Sequence, residues 1–202
     1  DTPMVIGMET YPGQPPYWKE LNDLLKQPPK RGYKRTINNF IKENVIKGDA
    51  SFDSDMFYGG FKYKRLDGKE FELLECATGI KSFSLLQMLL KNLYLDENTL
   101  LIIDEPEAHL HPQWIVDYAR LIILLHKKIG VKFFIASHST DMVSAIRYIS
   151  EKDKCLSSVS FYVAEEDSDK KNSYIFKSLG YDIEPIFESF NKSFKVLEGY
   201  VE

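Results

Sequence analysis

The sequence has few cysteines, no long apolar run and little net charge, and each of these scarcities excludes a class of protein. Its two cysteines, Cys76 and Cys155, lack metal-ligand spacing and imply no disulfide framework, which fits a cytoplasmic protein. No apolar stretch approaches membrane-spanning length, so we expect no membrane partner. The formal net charge of −4 provides no general attraction to nucleic acid or to anionic lipid.

The 202 residues contain enough ordinary apolar sequence for one packed core, and we predict a single domain over residues 1–202. Residues 1–74 are interpreted as a helical and β-hairpin region, 75–150 as the functional core, and 151–202 as C-terminal strands and a helix. Because the chain begins with Asp1 and not with methionine, we expect it to be a processed or excised piece of a longer protein.

The first region is predicted to be mixed in structure. Its expected elements are a strand at 3–8, an irregular stretch at 11–16, helices at 17–26 and 33–46, and a hairpin of strands 57–66 and 69–76 around Asp67-Gly68. Two basic clusters are interpreted as solvated surface in preference to a phosphate-binding track: Lys30, Arg31, Lys34 and Arg35, and Lys62, Lys64 and Arg65.

The most informative stretch is TLLIIDEPEAHLHP, residues 99–112. A short apolar run that ends in a turn indicates a strand buried on both faces, as in a parallel sheet. The carboxylates of Asp104 and Glu105 follow this run directly, at the strand end where open α/β sheets bind ligands. A buried strand that merely ends in a solvated acidic turn is the alternative interpretation.

A second informative stretch is ECATGIKS, residues 75–82, in which a small-residue loop opens into a helix. A loop of this kind leaves backbone N–H groups and the positive end of the helix dipole available for an anion. Thr78 and Ser82 add hydroxyl groups and Lys81 adds a cation. An ordinary helix cap explains the same residues equally well.

The following elements alternate between helix and strand. Pro112 to Gly130 is predicted to be a helix, and VKFFIA at 131–136 a second strand that ends in polar residues including His138. A helix from Asp141 then completes the pattern of a parallel sheet with crossover helices, so we expect Asp104, Glu105 and His138 at one sheet edge. Two further strands at 157–164 and 173–177 and a helix from Pro185 end the chain.

Together these groups suit nucleotide triphosphate hydrolysis. A carboxylate at a strand end can hold Mg²⁺, and a second carboxylate can activate water for attack on phosphorus. A histidine on the neighbouring strand can hydrogen-bond a terminal phosphate, and a helix N-terminus can bind the same phosphates.

LLIIDEPEAHLHP resembles the Walker B strand and D-loop of ATP-binding-cassette (ABC)-type, AAA-superfamily ATPases, in particular the OLD-like, RecF- and SMC-related branch. FFIASHS is similar to the switch-histidine strand of that branch, and ATGIKS to a degenerate form of its signature loop. The three motifs occur in the family's order and cover roughly residues 75–147. The resemblance implies a P-loop NTPase-like α/β lobe in which helices flank a mostly parallel sheet.

The same resemblance implies roles for individual residues. Asp104 would bind the Mg²⁺ of ATP, Glu105 would polarise the attacking water, and His138 would contact the γ-phosphate. The D-loop, which meets a partner subunit, would comprise Ala108, His109, Leu110 and His111. An ATP held by the opposite subunit of a head-to-tail dimer would be capped by Thr78, Gly79, Lys81 and Ser82. In this chain Thr78 replaces the usual signature serine, and no second glycine follows.

The chain has no G-x-x-x-x-G-K-[ST] loop to hold the β-phosphate. In the family that the motifs resemble, this loop lies N-terminal to the signature loop, so we expect the chain to be the C-terminal part of a longer ATPase. The first lobe would then be cut off or carried on a separate chain, and a degenerate ATPase lobe is the alternative. We expect this chain alone to be inactive. A metal-dependent nuclease that uses Asp104, Glu105, Glu107, His109 and His111, or a non-catalytic interaction module, remain rival interpretations. By analogy with the family, the expected process is a DNA transaction or anti-phage defence, with DNA or a nuclease effector as partner.

Overall fold

A computed structural model describes residues 16–54 and 59–198, with side chains described as far as residue 191. The strand predicted at 3–8 lies outside these ranges, as does nearly all of the irregular stretch at 11–16. The chain divides into two compact units, residues 1–136 and 137–202. The single-domain organisation stays a prediction. Within the described ranges, no helix has both the length and the apolar character needed to cross a bilayer.

The described part of the first unit contains four α-helices and five strands. In chain order they are α1 (Pro16–Leu25), α2 (Arg35–Asn39), β1 (Gly48–Asp53), β2 (Gly60–Arg65), β3 (Glu70–Glu72), α3 (Thr78–Lys91), β4 (Leu100–Asp104), α4 (Pro112–Ile129) and β5 (Lys132–Ala136). Strands β1, β2 and β3 form an antiparallel sheet, and β4 and β5 form a parallel pair.

Helix α3 is the centre of this unit, because residues on all of its sides are buried. Phe83, Leu86 and Leu90 are buried on one side. On another side, Gln87 and Lys91 attach the helix to β1: the amide of Ala50 donates to Gln87 Oε1 (2.9 Å), and Lys91 Nζ donates to the Ala50 carbonyl (2.8 Å). These bonds satisfy polar groups in the interior and fix the antiparallel sheet against α3.

The parallel pair confirms the predicted α/β class and determines at which end of the strands the candidate site lies. Its register places Asp104 opposite Ala136 at the carboxyl ends of both strands. The expected mostly parallel sheet is found only in this pair, since all other pairings between described strands are antiparallel.

The prediction that β4 is buried on both faces is wrong. Leu100 and Ile102 of β4 and Phe134 of β5 are exposed on one face of the pair. A strand is buried on both faces only if other structure covers each face. The described residues cover one face of the β4–β5 pair.

The helix predicted at 33–46 is divided in two. Helix α2 ends at Asn39, and a π-helical turn continues from Phe40 to Val45. Ile37, Ile41 and Val45 are nevertheless buried along the two segments. The apolar spacing does not distinguish the two helix types over so few residues. Gly48 opens β1, a strand that was not predicted from the sequence.

The predicted hairpin around Asp67-Gly68 is present as β2 and β3. Its second strand, predicted at 69–76, ends at Glu72, because Leu73–Glu75 form a 3₁₀ turn. Phe61 and Tyr63 are buried on one face, and charged residues alternate with them on the other. Burial raises the pKa of Tyr63, whose hydroxyl donates to the Ile46 carbonyl.

The second unit contains α5 (Thr140–Lys152), β6 (Phe161–Glu166), β7 (Tyr174–Gly180) and α6 (Glu184–Glu198). The two strands pair antiparallel. One side of the hairpin packs on both helices through a core of Val143, Phe161, Ile183 and Ile186. The predicted strand at 157–164 begins later than expected, because residues Leu156–Ser158 form a 3₁₀ turn.

Tyr118 of α4 allows a prediction about alkaline stability. Its ring is buried 5.2 Å from that of Phe83, and burial strongly raises the pKa of its hydroxyl. Above the ordinary tyrosine pKa of about 10 the unfolded chain loses this proton while the folded chain keeps it. The free energy of unfolding should therefore fall by up to about 1.4 kcal/mol per pH unit from this group alone.

Urea unfolding between pH 9 and pH 11 measures this effect (a range chosen about the ordinary tyrosine pKa). Tyr118→Phe should reduce the slope, whereas Tyr162→Phe, at an exposed tyrosine, should leave it unchanged. Equal slopes for Tyr118→Phe and the parent chain would contradict the prediction.

Candidate functional site

The carboxyl end of β4 holds an exposed carboxylate followed by a strained residue. Asp104 is the last residue of the strand and is exposed. The amide of Glu105 donates to the Ala136 carbonyl (2.8 Å), which extends the parallel ladder by one bond. Glu105 then adopts φ = 47°, in the left-handed region that non-glycine residues rarely occupy. Such strain is concentrated at functional sites in proteins.

Two consecutive turns connect Glu105 to α4. The amide of Ala108 donates to the Glu105 carbonyl and that of Leu110 to the Glu107 carbonyl, each at 2.9 Å. Glu107 is buried, whereas His109 is exposed and has φ = 62°. The segment predicted as the D-loop, Ala108 to His111, is thus a tightly hydrogen-bonded turn with a second left-handed residue.

His111 ends this segment as the N-cap of α4. Its Nδ1 accepts a hydrogen bond from the amide of Gln113 (3.3 Å), and Pro112 occupies the first helical position, where a missing N–H is tolerated. Gly130 ends the helix with φ = 93°. Both limits of α4 confirm the predicted helix, and they place His111 in a capping role.

The start of α3 lies directly against this segment. Thr78 is the first helical residue, and its N-cap, Ala77, offers no side-chain acceptor to the first turn. A Cβ added to Gly79 would lie 2.5 Å from Cζ3 of Trp114 and 3.1 Å from Cδ2 of Leu110. The glycine of the predicted signature loop therefore lets α3 touch the D-loop segment and the first turn of α4. This contact of Trp114 was not predicted, because it joins residues that lie far apart in the sequence.

The two remaining residues of the predicted signature loop, Lys81 and Ser82, are buried in α3. The Ser82 hydroxyl donates to the Thr78 carbonyl (3.1 Å), which engages it within the helix. Burial raises the pKa of the neighbouring Cys76 thiol, against the opposing influence of the Lys81 charge. The accessible part of this loop is thus its first turn, at Thr78.

His138 belongs to the second unit, where it is exposed and precedes Ser139. Ser139 is the N-cap of α5, and its hydroxyl accepts from the amide of Met142 (3.2 Å). Along the chain, His138 comes two residues after Ala136, the register partner of Asp104. The end of β5 therefore leads directly into the predicted switch histidine.

The acidic and histidine side chains do not form a protein-only metal centre. Among the described residues, no group of three His, Cys, Asp or Glu side chains is arranged to hold a metal ion. A metal-dependent nuclease built on residues 104–111 would need such a group. A single exposed carboxylate at Asp104 suits Mg²⁺ instead, because that ion keeps several water ligands and is commonly bound together with substrate phosphates.

The basic residues of the β2–β3 hairpin are engaged by carboxylates. Lys64 Nζ lies 2.7 Å from Glu70, and Lys62 and Arg65 bond Glu72 and Asp67 in the same way. These hydrogen bonds raise the pKa of Lys62 and Lys64 and lower that of Asp67. This arrangement is typical of a solvated charged face and agrees with the sequence interpretation.

Solved structures of SMC heads have the same fold. An Smc head domain with a coiled coil and joint from Pyrococcus yayanosii matches with a TM-score of 0.57 at 10% identity, over 87% of this chain and 30% of that one. An Smc head from Pyrococcus furiosus, bound to the C-terminal domain of ScpA, matches with a TM-score of 0.52 at 14% identity, over 92% of this chain and 39% of that one. The chain thus spans about a third of the length of these two proteins.

A third SMC ATPase, whose structure concerns ATP-driven dimerisation and DNA-stimulated activation, matches over 92% of this chain and 96% of that one, with a TM-score of 0.52 at 12% identity. At such identities the likeness concerns the fold, which is the α/β fold of a P-loop NTPase-like head. No curated protein sequence matches the chain. The sequence profile of the AAA ATPase domain matches residues 14–143, well over half of the chain. The chain therefore belongs to the AAA ATPase domain family.

Proposed function

We propose that this chain supplies one half of a composite ATP site in an ABC-type, OLD-like ATPase. In this proposal Asp104 binds the Mg²⁺ of ATP, Glu105 polarises the attacking water, and His138 contacts the γ-phosphate. The observation that carries it is the backbone at Glu105. A residue in the left-handed conformation at the carboxyl end of a parallel strand pair, beside an exposed aspartate, supports a functional role at this position.

The predicted signature loop forms another part of the composite ATP site. The first turn of α3, at Thr78 and Gly79, caps an ATP held by the opposite subunit of a head-to-tail dimer, with Lys81 and Ser82 supporting it from within the helix. The D-loop, Ala108 to His111, meets the same subunit. The packing of Gly79 against Leu110 and Trp114 supports this division, because it would make the two loops move together.

The loop that holds the β-phosphate must then come from elsewhere. None of the 202 residues forms a G-x-x-x-x-G-K-[ST] motif. We place that loop on another segment or chain, with residues 1–202 as the C-terminal part of the complete cytoplasmic ATPase and inactive alone. ATP with Mg²⁺ is the cofactor, and the chemistry is phosphoryl transfer to water.

The process served is a nucleotide-dependent dimerisation that controls a DNA transaction or an anti-phage response. A nuclease effector and DNA are the proposed partners. Support comes from the fold shared with SMC heads, which is an analogy at the level of fold.

The test uses the chain assembled with the segment that carries the phosphate-binding loop. ATP with Mg²⁺ should convert the assembly into a species of twice the mass that it has without nucleotide, as measured by sedimentation. Asp104→Asn should weaken this conversion at least tenfold, because the amide loses the negative charge that Mg²⁺ requires. Asp23→Asn, at an exposed position on α1, is the matched control. Unchanged ATP-dependent dimerisation of the Asp104→Asn assembly would contradict the proposed role.

A further inference from the structure

The β6–β7 hairpin has two different faces. Phe161, Val163 and Leu179 lie on the face that packs on the helices of the second unit. The opposite face consists of three cross-strand pairs: Tyr162 with Ser178, Ala164 with Phe176, and Glu166 with Tyr174. All six residues of this face are exposed, and we call it the aromatic face of the hairpin.

The exposure of this face is large for aromatic side chains. Phe176 is 72% exposed, Tyr174 60% and Tyr162 56%. At roughly 200 Å² for each aromatic side chain, these three leave roughly 400 Å² open to solvent. Two such faces buried against each other, together with the smaller residues Ala164, Ser178 and Glu166 beside the rings, reach the roughly 1,000 Å² that a specific interface needs.

Each row of the aromatic face pairs one large side chain with a smaller one. The large member lies on β6 in the first row, where it is Tyr162, and on β7 in the second row, where it is Phe176. A two-fold axis parallel to the strands places β6 of one copy over β7 of the other without changing the row. Phe176 then meets Ala164 of the other copy, and Tyr162 meets Ser178.

The third row is complementary in a different way. The same operation brings the Tyr174 hydroxyl towards the Glu166 carboxylate, so that a donor meets a charged acceptor. We propose that the aromatic face of the β6–β7 hairpin binds the same face of a second copy of this chain. Such an isologous contact closes on itself and forms a dimer.

Charge favours this occupant over nucleic acid. Residues 165–177 carry four acidic side chains (Glu165, Glu166, Asp167 and Asp169) and three basic ones (Lys170, Lys171 and Lys177). Lys177 lies 3.8 Å from Glu165 on the opposite face of the hairpin. A stacking platform for single-stranded nucleic acid requires a positively charged groove in addition to aromatic rings, and this hairpin has none.

The hairpin contact is separate from the proposed head-to-tail ATP dimer. It contains none of the residues assigned to nucleotide, so it should form without ATP and persist in an Asp104→Asn chain. Failure of the ATP-site proposal would therefore leave this contact intact, and the reverse is also true.

Sedimentation of the 202-residue chain without nucleotide, over a range of concentrations, tests the proposal. The parent chain should dimerise, and Phe176→Glu should weaken the association at least tenfold, because a carboxylate would be buried against Ala164. Tyr148→Glu removes an equally exposed aromatic residue from α5 in the same unit and should leave the association unchanged.

Exchanging the large and small side chains of the second row distinguishes this geometry from nonspecific hydrophobic association. Ala164→Phe alone should weaken the dimer because two large side chains collide, and Phe176→Ala alone should weaken it by leaving a gap. The double variant Ala164→Phe/Phe176→Ala restores one large and one small side chain to the row and should regain dimerisation. Circular dichroism and thermal unfolding verify that each variant is folded.

A parent chain that stays monomeric overturns the proposal, and so does a folded double variant as weak as either single variant. Dimerisation that Phe176→Glu and Tyr148→Glu impair equally also overturns it. Single-stranded DNA binding by a monomeric chain that Phe176→Glu abolishes would assign the face to nucleic acid instead.

Discussion

Glu105→Gln is expected to reduce ATP turnover of the assembled enzyme by roughly 10²–10⁴-fold, the usual contribution of a general base. The amide keeps the size and hydrogen-bonding reach of the glutamate but cannot accept the proton of the attacking water. ATP binding should survive, because Asp104 and the helix start at Thr78 are unchanged. ATP-bound dimers should therefore accumulate, as measured by sedimentation beside a phosphate-release assay.

A glycine at the same position separates catalysis from backbone strain. Glu105→Gly should also eliminate turnover, but it relieves the left-handed conformation and should maintain stability or raise it by about 1 kcal/mol. Glu20→Gly, at an exposed position of α1, should lower stability by about 1 kcal/mol because glycine weakens a helix. A rise in stability from Glu105→Gly beside a fall from Glu20→Gly would support backbone strain at Glu105.

Parental turnover in a folded Glu105→Gln enzyme would remove Glu105 from the mechanism. Glu20→Gln is the matched control for that assay, since it makes the same chemical change on an exposed helix face. Loss of turnover in both variants would point to a general effect on the assembly and also contradict the assigned role.

Gly79→Ala is expected to destabilise the chain, although alanine normally favours a helix. The new methyl group would lie 2.5 and 2.6 Å from two ring atoms of Trp114, closer than carbon atoms approach without displacement. Overpacking of this kind costs about 1–3 kcal/mol. At about 2–4 °C per kcal/mol for a chain of this size, the melting temperature should fall by several degrees.

A double-mutant cycle shows whether the indole ring is the obstacle. Gly79→Ala should cost much less in a Trp114→Leu background, where the clashing ring atoms are absent. Fluorescence of Trp114, measured in a Trp18→Phe background, should shift on Gly79→Ala because the ring must move. Equal costs in both backgrounds would contradict the close contact. In the assembled enzyme the same variant should weaken ATP-dependent dimers, since it separates α3 from the D-loop segment.

Much of the fold could be predicted because its signals are local. The limits of α4 follow from Pro112 and Gly130, whose backbone preferences act within one turn. The parallel pairing of β4 with β5 follows from a helix that separates two apolar runs. The π-helical turn and β1 were missed, because neither alters the apolar spacing from which elements are predicted.

The left-handed backbone at Glu105 and His109 had no signal in the sequence either. Residues in the left-handed conformation are usually glycine or asparagine, and neither residue type occurs in the stretch from 99 to 112. The hydrogen bonds of the folded turn, from Glu105 to Ala136 and between residues 105 and 110, help to hold them in place.

The sequence by itself determined the α/β class and the order of the motifs, and it placed Asp104 and Glu105 at a strand end, because periodicity and helix caps are local properties of the chain. The tertiary structure decided which faces are buried. It left Leu100, Ile102 and Phe134 open, buried Lys81 and Ser82, and brought Trp114 onto Gly79. Burial depends on which distant segments meet, and packing between helices far apart in sequence is a property that no single stretch encodes.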